Sequence, residues 1–135
     1  MVQPFSIDSS MRAVLGGAFY PTGYSFIMFP DEATAQTVGE QLLTELDDVD
    51  EVFLASPQAI LTQISPTVAG SDDPLPSAGT EGATVRAYTS LARQGHGGLL
   101  VRTPDKEIAE HVMEIVAQHP YSMAQRYRAL VIEDL

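Results

Sequence analysis

The chain has 135 residues, of which 44% are hydrophobic and 19% charged, enough for one packed domain and too few for two. Eighteen acidic residues against seven basic ones leave a formal charge of −11. This balance argues against a nucleic-acid binder and against docking on anionic membranes, because both draw affinity from Lys and Arg. With no cysteine, disulfides, thiolate nucleophiles and Cys-ligated metals are excluded.

Residues 1–20 lack the basic start and unbroken apolar stretch of a secretory signal; Asp8 and Arg12 stand where the apolar core would lie. No run approaches the roughly 18 apolar residues of a membrane span. The expectation is a cytoplasmic protein whose residues 1–21 form a short irregular arm.

Tyr24 to Phe29 is an apolar run of strand length, apolar on both of its faces, which predicts cover on both sides. Pro30-Asp31 ends it, and Asp31 is placed to cap a helix over about Asp31–Glu45. Glu51 to Ala55 reads as a second strand. Ser56-Pro57 is a cap followed by proline at the first helical position, with Ile60, Leu61 and Ile64 behind it and Pro66 as its expected end. Gly70 to Gly79 is dense in turn formers and is expected to be exposed. Thr80 to Gln94 predicts a further helix, capped by Gly95. Gly98 to Thr103 is the third strand, Asp105 to His119 a helix, and about Met123 to Ile132 a fourth strand.

An internal repeat orders these elements. At an offset of 74 residues, Gly23 to Asp31 lies over Gly97 to Asp105 without gaps. The match runs on as Ala35 over Ala109, Val38 over Val112 and Glu40 over Glu114. Each copy reads strand, helix, strand, over residues 22–56 and 97–135, with a helical insertion over 57–96 between them. Two such units in tandem resemble the ferredoxin-like superfold. The resemblance implies a single α+β domain: a four-stranded antiparallel sheet with two packing helices, plus the insertion. The interrupted repeat also bears a loose likeness to bacterial general-stress domains. Neither resemblance carries a functional residue, since such superfolds host many activities.

Chemistry is sparse. His96 lies in Gly95-His96-Gly97-Gly98 before the third strand, where exposed N–H groups could hold an anion, although a helix cap and a turn are the plainer explanation of the glycines. Glu107, His111 and Glu114 share a helix flank at metal-ligand spacing, but the flank is the solvent side, so no metal is expected. No serine sits in a nucleophile elbow and the chain has one lysine, Lys106, so no catalytic residue and no cofactor is assigned.

Arginine is distributed unevenly. Residues 1–68 hold one basic residue against nine acidic ones; residues 69–135 hold six against nine. Arg102, Arg126 and Arg128 fall in predicted strands, and alternation places Arg126 and Arg128 on one face. If that face is also the one bearing Tyr24 and Arg102, it would present arginines beside aromatics to an anionic ligand, with His96 and Gly97 nearby. The plainer alternative is arginines paired with the many carboxylates. Two functions follow. One is a non-enzymatic interaction or regulatory module that self-associates, as a homodimer, through a sheet face or edge. The other is a small-molecule binding protein or enzyme for an anionic ligand, using His96, Gly97, Arg102, Arg126, Arg128 and Tyr24.

Overall fold

A strand that is apolar on both faces must be covered twice, and Tyr24–Phe29 (β2) meets that condition: Phe26, Ile27, Met28 and Phe29 are all fully buried. The computed structural model describes residues 2–12, 17–68, 80–129 and 131–135; the turn-rich stretch Gly70 to Gly79 lies outside them. In chain order the elements are β1 (Gln3–Pro4), β2, α1 (Glu32–Glu45), β3 (Val52–Ala55), α2 (Pro57–Ala59), α3 (Thr80–Arg93), β4 (Gly97–Arg102), α4 (Lys106–Val116), β5 (Met123–Tyr127) and β6 (Ile132–Asp134). The molecule is α+β.

The sheet is mixed and six-stranded, in the order β1-β3-β4-β2-β5-β6, which corrects the expected four-stranded antiparallel sheet. Two short edge strands make the difference. At one edge β1 runs parallel to β3, and the Phe5 N–H donates to Leu54 O at 2.9 Å, so the arm is an integral part of the sheet. At the other edge the chain reverses after β5. Arg128 and Val131 exchange backbone hydrogen bonds at 2.8 and 3.3 Å, and β6 returns antiparallel to β5. Between these edges β3, β4, β2 and β5 pair antiparallel throughout.

Helices α1 and α4 lie on one face, where Ala35, Val38, Leu42, Val112, Ile115 and Val116 pack on Ile27, Phe29, Leu99 and Val101. Both helices start as the sequence indicates: the Asp31 carboxylate accepts from Thr34 N at 2.7 Å and that of Asp105 from Ile108 N at 3.0 Å. The same interactions at Thr34 hold the Asp31 carboxyl below its ordinary pKa, with a smaller contribution from His96.

The opposite face is filled by the arm and the insertion. Ile60, Ile64, Val85, Tyr88 and Ala92 of the insertion, with Phe5, Met11 and Phe19 of the arm, pack on Phe26, Met28, Leu100 and Tyr127. Phe19 is the hub, its ring edge-on to those of Phe5, Phe26, Tyr88 and Tyr127 at 5.6–6.4 Å. Contrary to expectation, Pro66 does not end the first insertion helix. After α2 the run widens to a π turn over Ile60–Ile64 and tightens to a 3-10 turn over Ser65–Thr67, with Pro66 near its start, where no N–H is needed. Gly95 closes α3 with φ +93°, as its place after that helix requires. Of the surfaces expected to serve self-association, a sheet face or an edge, the second face is therefore covered from within the chain.

Candidate functional site

The six residues proposed to share a ligand are distributed over three places. His96 precedes β4, and six residues of extended chain, about 20 Å, separate it from Arg102 at the strand's far end. The His96 ring Nδ1 lies 2.7 Å from Ser122 Oγ, tying the start of β4 to the approach of β5. Neighbouring N–H groups are already engaged: Ser122 N donates to Met28 O, His96 N to Leu91 O and Gly95 N to Ala92 O. With these three N–H groups engaged, the pair serves as a structural link between the two strands. Gly97 is demanded by packing, since a Cβ there would stand 3.0 Å from the Glu32 Cα.

Tyr24 and Arg102 are directly opposed across β2 and β4, on the face covered by the insertion. Both reach the α1–β3 connection. The Tyr24 hydroxyl donates to Glu51 Oε2 at 2.9 Å, while the Arg102 guanidinium lies 3.2 Å from Asp50 Oδ2 and 3.9 Å from Glu51 Oε2. Burial, then the Glu51 hydrogen bond and charge, push the Tyr24 phenol up to about 12, against the opposing pull of Arg102. Arg102 is thus committed to carboxylates of its own chain, in partly exposed pairs of the kind worth about 0–1 kcal/mol. His111 is likewise engaged: its Nδ1 lies 2.8 Å from Asp48 Oδ2, which raises its pKa, the hydrogen bond being the largest cause. Among the described residues no cluster of three metal-ligating side chains forms.

Arg126 and Arg128 do meet, but not on the face of Arg102. Arg126 pairs with Ser25, the opposite parity of β2 from Tyr24, so it points to the α1/α4 side. It lines a cleft of about 530 Å³ with Arg128, Lys106, Asp105, Gly23 and Glu133. The register of the terminal hairpin builds the centre of this cleft. Arg126 on β5 stands opposite Glu133 on β6, and Nη1 donates to Oε1 at 2.9 Å. The other carboxylate oxygen, Oε2, lies 3.8 Å from Arg128 Nη1. The Arg126 side chain is only 9% exposed, and its buried Nε has no hydrogen-bond partner among the described residues. Lys106, in the first turn of α4, is 82% exposed and 4.0 Å from Glu110. Three cations and two carboxylates thus surround the cleft, and its size suits a small organic ligand.

Glu133 was not found from sequence, because the fourth strand was read as continuous to Ile132 and the reversal at 128–131 carries no Gly, Pro or Asn. Alternating charge, Arg126 and Arg128 followed by Glu133 and Asp134, was the available signal. Comparison with protein-family models, curated proteins and solved structures finds no match to this chain. No helix among the described residues is long and apolar enough to cross a membrane.

Proposed function

We propose that the protein is a non-enzymatic binding module for a small anionic molecule, held in the Arg126–Arg128–Lys106 cleft. The observation that carries this reading is Arg126, a guanidinium nine-tenths buried with Nε unpaired, lining a cleft large enough for a ligand. Arg126 and Arg128 share the single carboxylate of Glu133, so the two guanidiniums together offer more N–H donors than it can accept, and an incoming oxyanion can take up the remainder. The arm and insertion pack on the second sheet face, so self-association, the other expectation, would have to use an edge of the sheet, at β1 or β6.

The inner four strands with α1 and α4 are read as a ferredoxin-like unit carrying two edge strands. Register supports this and the repeat together: Phe26 stands directly opposite Leu100, its own match at an offset of 74, and Tyr24 opposite Arg102 mirrors Met28 opposite Gly98. The fold reading names no ligand by itself.

The test is a thermal-shift panel of phosphate, sulfate and small carboxylates on wild type and Arg128→Ala. A ligand at a hundred times its Kd adds about 2.7 kcal/mol of stability. The expected outcome is a rise in midpoint with at least one anion, lost in Arg128→Ala. A flat response across the panel overturns the proposal.

A further inference from the structure

The two ends of the sheet are not equivalent, and we infer that the β6 end is a docking edge, which takes an extended basic and apolar segment of another protein as an added strand. At the β1 end, Phe5 N donates inward to Leu54 O. By alternation the backbone groups of Gln3 and Phe5 face β3 and those of Pro4 face outward. Proline has no N–H, so β1 offers no outward donor to an added strand. At the β6 end, Val131 N donates to Arg128 O and Leu135 N to Ala124 O, so Val131, Glu133 and Leu135 turn their backbone groups towards β5. Ile132 and Asp134 therefore direct their N–H and C=O groups out of the sheet, where they have no hydrogen-bond partner among the described residues.

What lies beside this edge selects the segment. Between α4 and β6 runs a groove of about 290 Å³ lined by Ala109, Met113 and Leu135, with Lys106 and Glu110 on its helix side. Val131, on the same side of the hairpin as Leu135, is 52% exposed. An added strand alternates its side chains, so every second residue meets this apolar row. The intervening residues project to the other face, beside Ile132 and Asp134, which stand opposite Tyr127 and Gln125. The charges around the edge differ in their commitments. Glu133 already serves Arg126 and Arg128, and Lys106 lies 4.0 Å from Glu110. The Asp134 carboxylate, by contrast, accepts only from the Gln125 amide, at 2.6 Å. A lysine or arginine set opposite Asp134 pairs with it on the face away from Arg126. A second copy of this chain is the poorer occupant, because it brings Glu133 and Asp134 against themselves on a body of formal charge −11. The same charge draws a basic segment in.

The experiment is amide-NMR titration of the full chain at fixed ionic strength with three capped hexapeptides. One alternates lysine and valine, one alternates glutamate and valine, and the third is the lysine–valine peptide fully N-methylated, which keeps its charge and loses its backbone donors. The lysine–valine peptide is expected to bind saturably, with its largest shifts at the Ile132 and Asp134 amides. Its N-methylated form should bind about tenfold more weakly. Asp134→Asn should weaken the lysine–valine peptide about threefold, and Asp134→Lys should reverse the preference between lysine and glutamate. Equal binding of the N-methylated or the glutamate peptide, unchanged affinity in Asp134→Asn, shifts confined to residues outside 131–135, or no saturable binding overturns the inference. Ile132 and Asp134 amides that shift with protein concentration alone overturn it too, and assign the edge to a second copy. Should the Asp134 variants not fold, the three peptides on wild type decide. Anion binding in the Arg126–Arg128–Lys106 cleft is read separately by the thermal-shift panel, so failure here leaves that reading standing.

Discussion

Tyr88 and Tyr127 bring two phenol oxygens to 2.7 Å in an otherwise apolar core, one from the insertion and one from the sheet. One hydroxyl donates to the other, and burial pushes both phenols up from their ordinary values. Tyr88→Phe leaves the Tyr127 hydroxyl buried without this partner, a loss of about 1–3 kcal/mol. The Tyr88→Phe/Tyr127→Phe double variant should recover much of it, since both polar groups leave together. The pH dependence follows in sign. The folded state keeps both phenols protonated, so their contribution is complete below the unfolded phenol pKa of about 10 and declines as pH rises above it. Urea unfolding of the three proteins between pH 7 and 11 checks both statements. The double variant should show the shallower alkaline decline; equal declines in wild type and double variant would refute the assignment.

At the level of elements, sequence periodicity located β2, α1, β3, α3, β4 and α4 within a few residues, because apolar spacing, Pro-Asp starts and the Gly95 cap are local signals. What it missed was tertiary in origin. The Gln3–Pro4 strand is two residues long and exists because Phe5 anchors the arm beneath the sheet edge. The β5–β6 reversal uses no turn-forming residue at the described positions, so Glu133 and half of the candidate site went unseen. Arg102 fell on the expected face and Arg126 on the other, because the register of β5 against β2 is set by neither strand alone. A glycine shows how tightly such pairings are specified: a Cβ on Gly98 would come within 2.6 Å of Phe26 Cζ and 3.2 Å of Met28 Sδ. Gly98→Ala is expected to cost about 1–3 kcal/mol by overpacking. Adding Phe26→Leu to Gly98→Ala should restore part of this in a double-mutant cycle measured by urea unfolding. Additive losses would show that the ring is not the obstacle.

On the scale of the whole molecule, the uneven charge is resolved by contacts across the fold. Acids of the first half at the α1–β3 connection, Asp48, Asp50 and Glu51, meet His111 and Arg102 of the second half. The long insertion, puzzling as a loop, is the second layer of the core. Replacing residues 56–93 by a short Gly-Ser linker would strip Ile60, Ile64, Val85, Tyr88 and Ala92 from Phe26, Met28, Leu100 and Tyr127, leaving the arm as their only described cover and exposing apolar surface that drives association. That variant should sediment as oligomers or aggregate and bind a hydrophobic dye, whereas wild type should not bind it. A monomeric, dye-silent deletion protein would show that the layer is dispensable.

The strand order has a consequence for the nascent chain. Strand β2, the most apolar of the six, takes neither of its partners from nearby sequence: β4 and β5 both follow the insertion. During synthesis one of its hydrogen-bonding edges remains without its final neighbour until Gly97–Arg102 has left the ribosome, and the other until Met123–Tyr127 has followed. The first half, with nine acidic residues against one basic, accompanies that strand through the interval with its negative charge almost unneutralised, and the mutual repulsion opposes contact between unfinished chains.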